Sequence, residues 1–130
     1  MPRPELLETF ETPAREPIVI EHVAEEFTSQ CPKTGHPDFG TVRLRYQPAA
    51  RGSAAGATGC VELKSLKLYY QSFRMEGIFY EAVTDRIRND LARLLRPAWM
   101  QVITEWRGRG GIRSVVRAEA GEVPTEWKGR

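Results

Sequence analysis

Cysteine is scarce in this chain, with only Cys31 and Cys60 among 130 residues. So few cysteines in a cytoplasmic protein do not suggest a structural disulfide, and Cys31 reads as a free thiol. The sequence leaves open whether Cys60 lies near it. Long apolar runs are missing too. None approaches the ~20 residues of a membrane span. Nor does one sign of charge dominate: 19 Lys and Arg stand against 17 Asp and Glu, a net charge of +2. A dedicated nucleic-acid binder carries a strongly basic face, so direct nucleic-acid binding is not expected. The first residues, "MPRPELLETFETPAREP", are polar and acidic and have no signal-peptide core. The expectation is a cytoplasmic protein. No internal repeat is visible.

What is present is an ordinary globular composition, 41% hydrophobic and 28% charged, at a length that suits one domain. Residues 1–16 contain Pro2, Pro4 and Pro13 and no sustained period, and read as a flexible arm. Residues 17–120 read as the single domain and 121–130 as a tail. Within the domain, "PIVIEHVAEEF" is a β-branched run. "TVRLRYQ" alternates, with Val42, Leu44 and Tyr46 on one face and Thr41, Arg43 and Arg45 on the other. Residues 48–59 form a small-residue, flexible loop. The period then turns helical, first in "SLKLYYQSFRM" and then in "IFYEAVTDRIRNDLARLL". There Phe79, Val83, Ile87, Leu91, Leu94 and Leu95 make a stripe, which Pro97 ends. "WMQVITEWR" and "IRSVVRAEA" read as strands joined by a glycine-rich turn. The order strand-strand-helix-helix-strand-strand predicts an α+β fold, an antiparallel four-stranded sheet with two helices on one face. Its two open edges need covering, and copies closed edge to edge into a ring would cover them.

Four stretches can carry chemistry. In "SQCPKTGHPDFG", Cys31 sits where Pro32, Gly35 and Pro37 turn the chain. A thiolate there can attack an electrophilic carbon, and Asp38 can supply a proton. On pattern alone the loop reads as an incidental cysteine. Cys31, His36, Asp38 and Cys60 are possible metal ligands, but their spacing matches no finger-type arrangement, and no metal is expected. In "VELKSLKLYY", Lys64 and Lys67 share a helical face, with Ser65 at the N-cap or in the first turn. A helix start of this kind suits a phosphate through its free N–H groups, and a solvated lysine face is the plainer reading. In "FYEAVTD", Tyr80 falls on the apolar stripe and Glu81 off it. Glu81 can accept hydrogen bonds from a purine-like ring at an oligomer interface, or simply face solvent. In "WRGRGGIRS", Arg107, Arg109 and Arg113 can bind phosphate, and the glycines can let backbone approach a ligand.

Taken together and in this order, "EFTSQCPKTGHPDFG", "ELKSLKLYYQSFR" and "RGGI" resemble one family, the NADPH-dependent 7-cyano-7-deazaguanine reductases (QueF) of queuosine biosynthesis. The resemblance runs over about residues 26–118. It implies the tunnelling fold, homo-oligomeric rings with sites between subunits, and reduction of a nitrile to a primary amine by two hydrides from NADPH. It makes Cys31 the nucleophile that forms a covalent thioimide and Asp38 the proton donor. Val61, Glu62, Leu63, Tyr80 and Glu81 would bind 7-cyano-7-deazaguanine. Leu63, Lys64, Lys67, Arg109 and Gly110 would bind NADPH. Two departures stand out: better-known members carry His-Glu where this chain has Tyr80-Glu81, and the loop at 48–59 looks long. The alternatives are an amidinotransferase-like relative acting on modified RNA and a non-catalytic purine- or RNA-binding module.

Overall fold

The computed structural model describes residues 1–53 and 59–129. Its strands are β1 (Thr9–Phe10), β2 (Ile20–Gln30), β3 (Pro37–Gln47), β4 (Cys60–Val61), β5 (Trp99–Arg109) and β6 (Ile112–Gly121). Its helices are α1 (Leu63–Gln71) and α2 (Tyr80–Leu95). The order β2-β3-β5-β6 forms one antiparallel sheet. The α+β architecture is the one the sequence pattern predicts. Residues 54–58, the centre of the small-residue loop, lie outside the described residues.

The core lies between the sheet and the helices. Val42, Leu44 and Tyr46 of β3 face it, opposite Thr104, Val102 and Met100 of β5. From α2, the residues Val83, Ile87, Leu91 and Leu95 complete it, all fully buried. Phe79 departs from the predicted stripe. It is the residue before α2, in extended backbone, and it is 54% exposed. On the other face, Glu21, Arg45, Gln101 and Glu119 link side chain to side chain across all four strands. Trp127, from a short turn in the tail, lies against Trp99 and over the Arg45 guanidinium.

The N-terminal arm has more local structure than its sequence suggests. β1 pairs with β4, the Glu8 N–H donates to Ser65 Oγ at 2.9 Å, and Leu7 packs against the core. Proline breaks its period, but its partners lie more than fifty residues away and leave no local pattern.

Two irregularities interrupt the sheet. Between Ala24 and Phe27, β2 spends three residues against two of β3. Between Trp106 and Arg109, β5 does the same against β6. Each is a bulge, and one extra residue reverses the side-chain alternation beyond it. Phe27 and Ser29 therefore turn to the helix face, and so does Arg109.

Gly40 is held by packing. It stands opposite Trp106, and a Cβ there would sit 2.8 Å from the indole and from the Glu105 carbonyl. Gly40→Ala is expected to cost about 1–3 kcal/mol as overpacking. A fall in the urea midpoint at unchanged m-value checks it. An unchanged midpoint would show that Trp106 moves aside freely.

Candidate active site

The six residues between β2 and β3 wrap around the Cys31 sulfur. The Cys31 N–H donates to the His36 carbonyl at 2.8 Å, and the Gly35 N–H returns to the Cys31 carbonyl at 2.8 Å. This closed turn points donors inward. The Thr34 hydroxyl, the N–H groups of Thr34 and Lys33, and the Arg109 guanidinium all favour the thiolate. They lower the Cys31 pKa to about 7, with the Thr34 hydroxyl as the largest cause. His36 is exposed and contributes only its backbone.

Asp38 is the second residue of β3, opposite Ser29, and nearly fully buried. Its Oδ1 accepts from Arg109 Nη1 at 2.7 Å and from the Tyr80 hydroxyl at 3.3 Å. Tyr80 opens α2, and its ring stacks on Trp106 at 4.1 Å and 7°. Burial, then the charge of Asp38, raises the Tyr80 pKa. Trp106 in turn meets Phe27 edge-on and donates from its indole N–H to Thr104. Cys31, Asp38, Tyr80 and Arg109 thus form one cluster at one end of the sheet.

Of the other expected residues, Val61 and Glu62 lie toward the far end of β3. Val61 is a core residue whose N–H donates to the Tyr46 hydroxyl at 3.1 Å. Eight residues of β3 separate Tyr46 from Asp38, roughly 25 Å of strand. Glu62 is the N-cap of α1. Its carboxylate accepts from the Lys64 and Ser65 N–H groups at 2.8 Å each, which holds its pKa below the usual range. Glu62 thus occupies the N–H groups that a phosphate would meet at this helix start, and Ser65 sits inside the first turn, one of its two expected places. Leu63, Lys64 and Lys67 instead line a groove of about 730 Å³ between α1 and the open edge of β2, with Arg74 farther along. Glu81 lines a second groove, of about 460 Å³, between α2 and the open edge of β6. Cys60 is buried under Tyr46 and is a free thiol, as is Cys31.

Gly110 and Gly111 make the two-residue turn between β5 and β6, with φ of 58° and 81°. Both central positions of such a hairpin turn need positive φ, so the turn alone accounts for the glycine pair.

The profile of the QueF-like protein family matches residues 37–125. The chain belongs to that family. A relative from Chloroherpeton thalassium, "NADPH-dependent 7-cyano-7-deazaguanine reductase", is 53% identical over 118 residues, 89% of this chain and 94% of the relative. One of the same name from Anaeromyxobacter sp. is 52% identical over 119 residues, 91% of each chain. Among solved structures, the apo form of the archaeosine synthase QueF-Like superposes with a TM-score of 0.64 at 20% identity. It covers 83% of this chain and 96% of its own, and shares the fold.

Sequence reasoning missed two parts of this candidate site. Thr34 had a usable signal, a hydroxyl residue three after a cysteine within a Gly/Pro turn. Arg109 was read as a ligand contact only. Its reach to Asp38, 71 residues away, needs the β5 bulge. Among the described residues no cluster of three or more His, Cys, Asp or Glu can hold a metal ion.

Because the thiolate is the reactive form, iodoacetamide alkylation of Cys31 is expected to rise with pH through a midpoint near 7. Thr34→Val is expected to move that midpoint up by roughly half to one unit. Rate-against-pH profiles of the Cys31 peptide, read by mass spectrometry, check both. A midpoint that stays put in Thr34→Val would remove Thr34 as the main support.

Proposed function

We propose that the chain is an NADPH-dependent nitrile oxidoreductase. It converts 7-cyano-7-deazaguanine to 7-aminomethyl-7-deazaguanine, a step toward the queuosine of tRNA. The observation that carries this reading is the pairing of a thiol poised near neutrality with a buried carboxylate through one guanidinium. It occurs in a chain about half identical, over nine-tenths of its length, to relatives named for that reaction.

The chemistry follows from the residues. Cys31 adds as thiolate to the nitrile carbon, forming a carbon–sulfur bond. One carbon–nitrogen π pair moves to nitrogen, and the proton of Asp38 goes with it. The product is a thioimide, whose C=N bond accepts hydride more readily than a nitrile. Two NADPH molecules, bound in turn, would each supply one of the two hydrides. Cys31 leaves as thiolate between them.

The cation set fits such a cofactor. Lys64, Lys67 and Arg74 line one groove, and Arg107, Arg109 and Arg113 surround the β5–β6 turn. Pyrophosphate and the 2′-phosphate need this kind of partner. Val61, Glu62 and Leu63 at one end, with Tyr80 and Glu81 on α2, would hold the deazaguanine. Glu81 reads its ring N–H and amino groups. Since roughly 25 Å of β3 separates Asp38 from Tyr46, where Val61 is held, we assign the complete site to two copies of a homo-oligomer.

NADPH consumption with 7-cyano-7-deazaguanine, wild type against Cys31→Ala, tests the reaction. Wild type should turn over and the variant should not; turnover by Cys31→Ala would discard the thioimide. Without NADPH, the wild-type mass should rise by that of the substrate. An adduct without any NADPH consumption would favour ammonia addition, as in an amidinotransferase, over reduction. Glu81→Ala should weaken substrate binding at least tenfold by calorimetry, as expected when a charged hydrogen-bond partner is lost. Wild-type affinity would remove Glu81 from the site.

A further inference from the structure

The residue before Cys31 is held from outside the sheet. β2 is an edge strand, yet the backbone of Gln30, its last residue, is paired on the open side. The Gln30 N–H donates to the Glu76 carbonyl at 2.9 Å, and the Gln30 carbonyl accepts from the Ile78 N–H at 3.0 Å. Gly77 thus lies beside Gln30 as a one-residue parallel bridge. It also backs the cysteine loop: a Cβ built on Gly77 would lie 3.5 Å from Pro32 Cα. The residues on either side of Cys31 therefore rest on the segment 76–78.

The N-terminal arm pins that segment in turn. Ser65 and Ser72 stand two helical turns apart, about 10 Å along the axis of α1. Each hydroxyl donates to the carbonyl three residues before it, that of Glu62 or Tyr69. Each also accepts a backbone N–H of the arm, Glu8 on Ser65 and Arg3 on Ser72, both at 2.9 Å. Between these two contacts the arm makes one 3₁₀ turn, Pro4–Leu6. Fully extended, the chain from Arg3 to Glu8 would span roughly 17 Å. A 3₁₀ rise of about 2 Å per residue shortens it to the spacing of the two serines. Beyond Ser72 the path to Gln30 is short and closely bonded. Phe73 is fully buried, and its carbonyl accepts from the Glu76 N–H at 3.0 Å.

We propose that Ser72 is a positioning residue for Cys31: by holding the arm against the end of α1, it fixes the segment 76–78 and, through Gln30, the turn that carries the sulfur. The proposal rests on the nitrile reductase reading only for calling Cys31 the nucleophile. The turn matters because most of the donors that favour the thiolate belong to it. The Thr34 hydroxyl and the Lys33 and Thr34 N–H groups come from the turn itself, and Arg109 is the charged group that reaches the sulfur from β5. A turn that loses its support at Gln30 and Pro32 loses part of this set. Its sulfur then moves toward an ordinary thiol and away from its place in the site. Ile78 leads directly into Phe79 and Tyr80, so the same segment also sets the first turn of α2.

Three full-length variants test this. Ser72→Ala removes the contact, Ser72→Thr keeps a hydroxyl there, and Ser65→Ala removes the matching contact at the other end of α1. In Ser72→Ala, amide exchange at Ile78 and Gln30 should speed up roughly fivefold or more, with the core amides of β3 and β5 unchanged. The iodoacetamide midpoint of Cys31 should rise by several tenths of a unit in the same variant. Ser72→Thr should restore both, and Ser65→Ala should leave both as in wild type. Unchanged exchange at Ile78, a uniform rise across the core, a midpoint that stays put, or an equal shift in Ser65→Ala each overturns the positioning role. Neither measurement needs substrate. Formation of the 7-cyano-7-deazaguanine adduct without NADPH should slow in Ser72→Ala and recover in Ser72→Thr. Absence of an adduct in wild type would discard the reductase reading, while exchange and alkylation still decide the role of Ser72.

Discussion

Two extra residues, one in β2 and one in β5, decide which side chains meet at the reactive end of this fold. In a regular strand, Glu26 would face the helices and Phe27 the outer side. The bulge between Ala24 and Phe27 reverses them, so Phe27 can pack against Trp106 and Ser29 can stand beside Asp38. The bulge before Arg109 does the same for β5, and brings the guanidinium onto the face that Asp38 occupies. Bulges break the ladder locally. Here the loss is offset by a buried carboxylate that gains a partner, and an unpartnered one would be far more costly.

The rest of the cluster hangs from that phasing. Trp106 lies flat across the space that Gly40 leaves open, and Tyr80 stacks on it. The stack ties the first turn of α2 to the sheet and turns the phenol toward Asp38. Below it, Thr84 of α2 and Thr104 of β5 share a buried hydrogen bond at 2.7 Å. Helix and sheet are therefore locked together next to the site, while Arg109 sits on the exposed tip. The acid is buried, while its counter-charge is 41% exposed.

Where side chains followed a regular period, the fold was legible in the sequence. The alternation of 41–47 and the stripe from Val83 to Leu95 fall where the period puts them. Ends and irregularities were not legible. β3 begins at Pro37 rather than Thr41, which brings Asp38 into the sheet, and α1 begins at Leu63 because Glu62, not Ser65, caps it. Gly108 inside a strand and the Glu25–Glu26 pair breaking an apolar alternation were the available signs of bulges. For the candidate site, the cysteine loop and the arginine turn were visible as motifs. Their contact was not, because it joins residues 71 apart through a register that no local pattern encodes.

Tyr80 takes a different meaning in this setting. A histidine at this position could itself be charged near neutral pH. Beside Asp38 this chain already has a cation, Arg109. A second one would compete with it for the same oxygen. A phenol donates a hydrogen bond to that oxygen without adding charge, and its raised pKa keeps the proton on it throughout the neutral range. The charge balance at Asp38 then depends on Arg109 alone. Tyr80 and Arg109 thus share one carboxylate oxygen, one as a neutral donor and the other as a charged one.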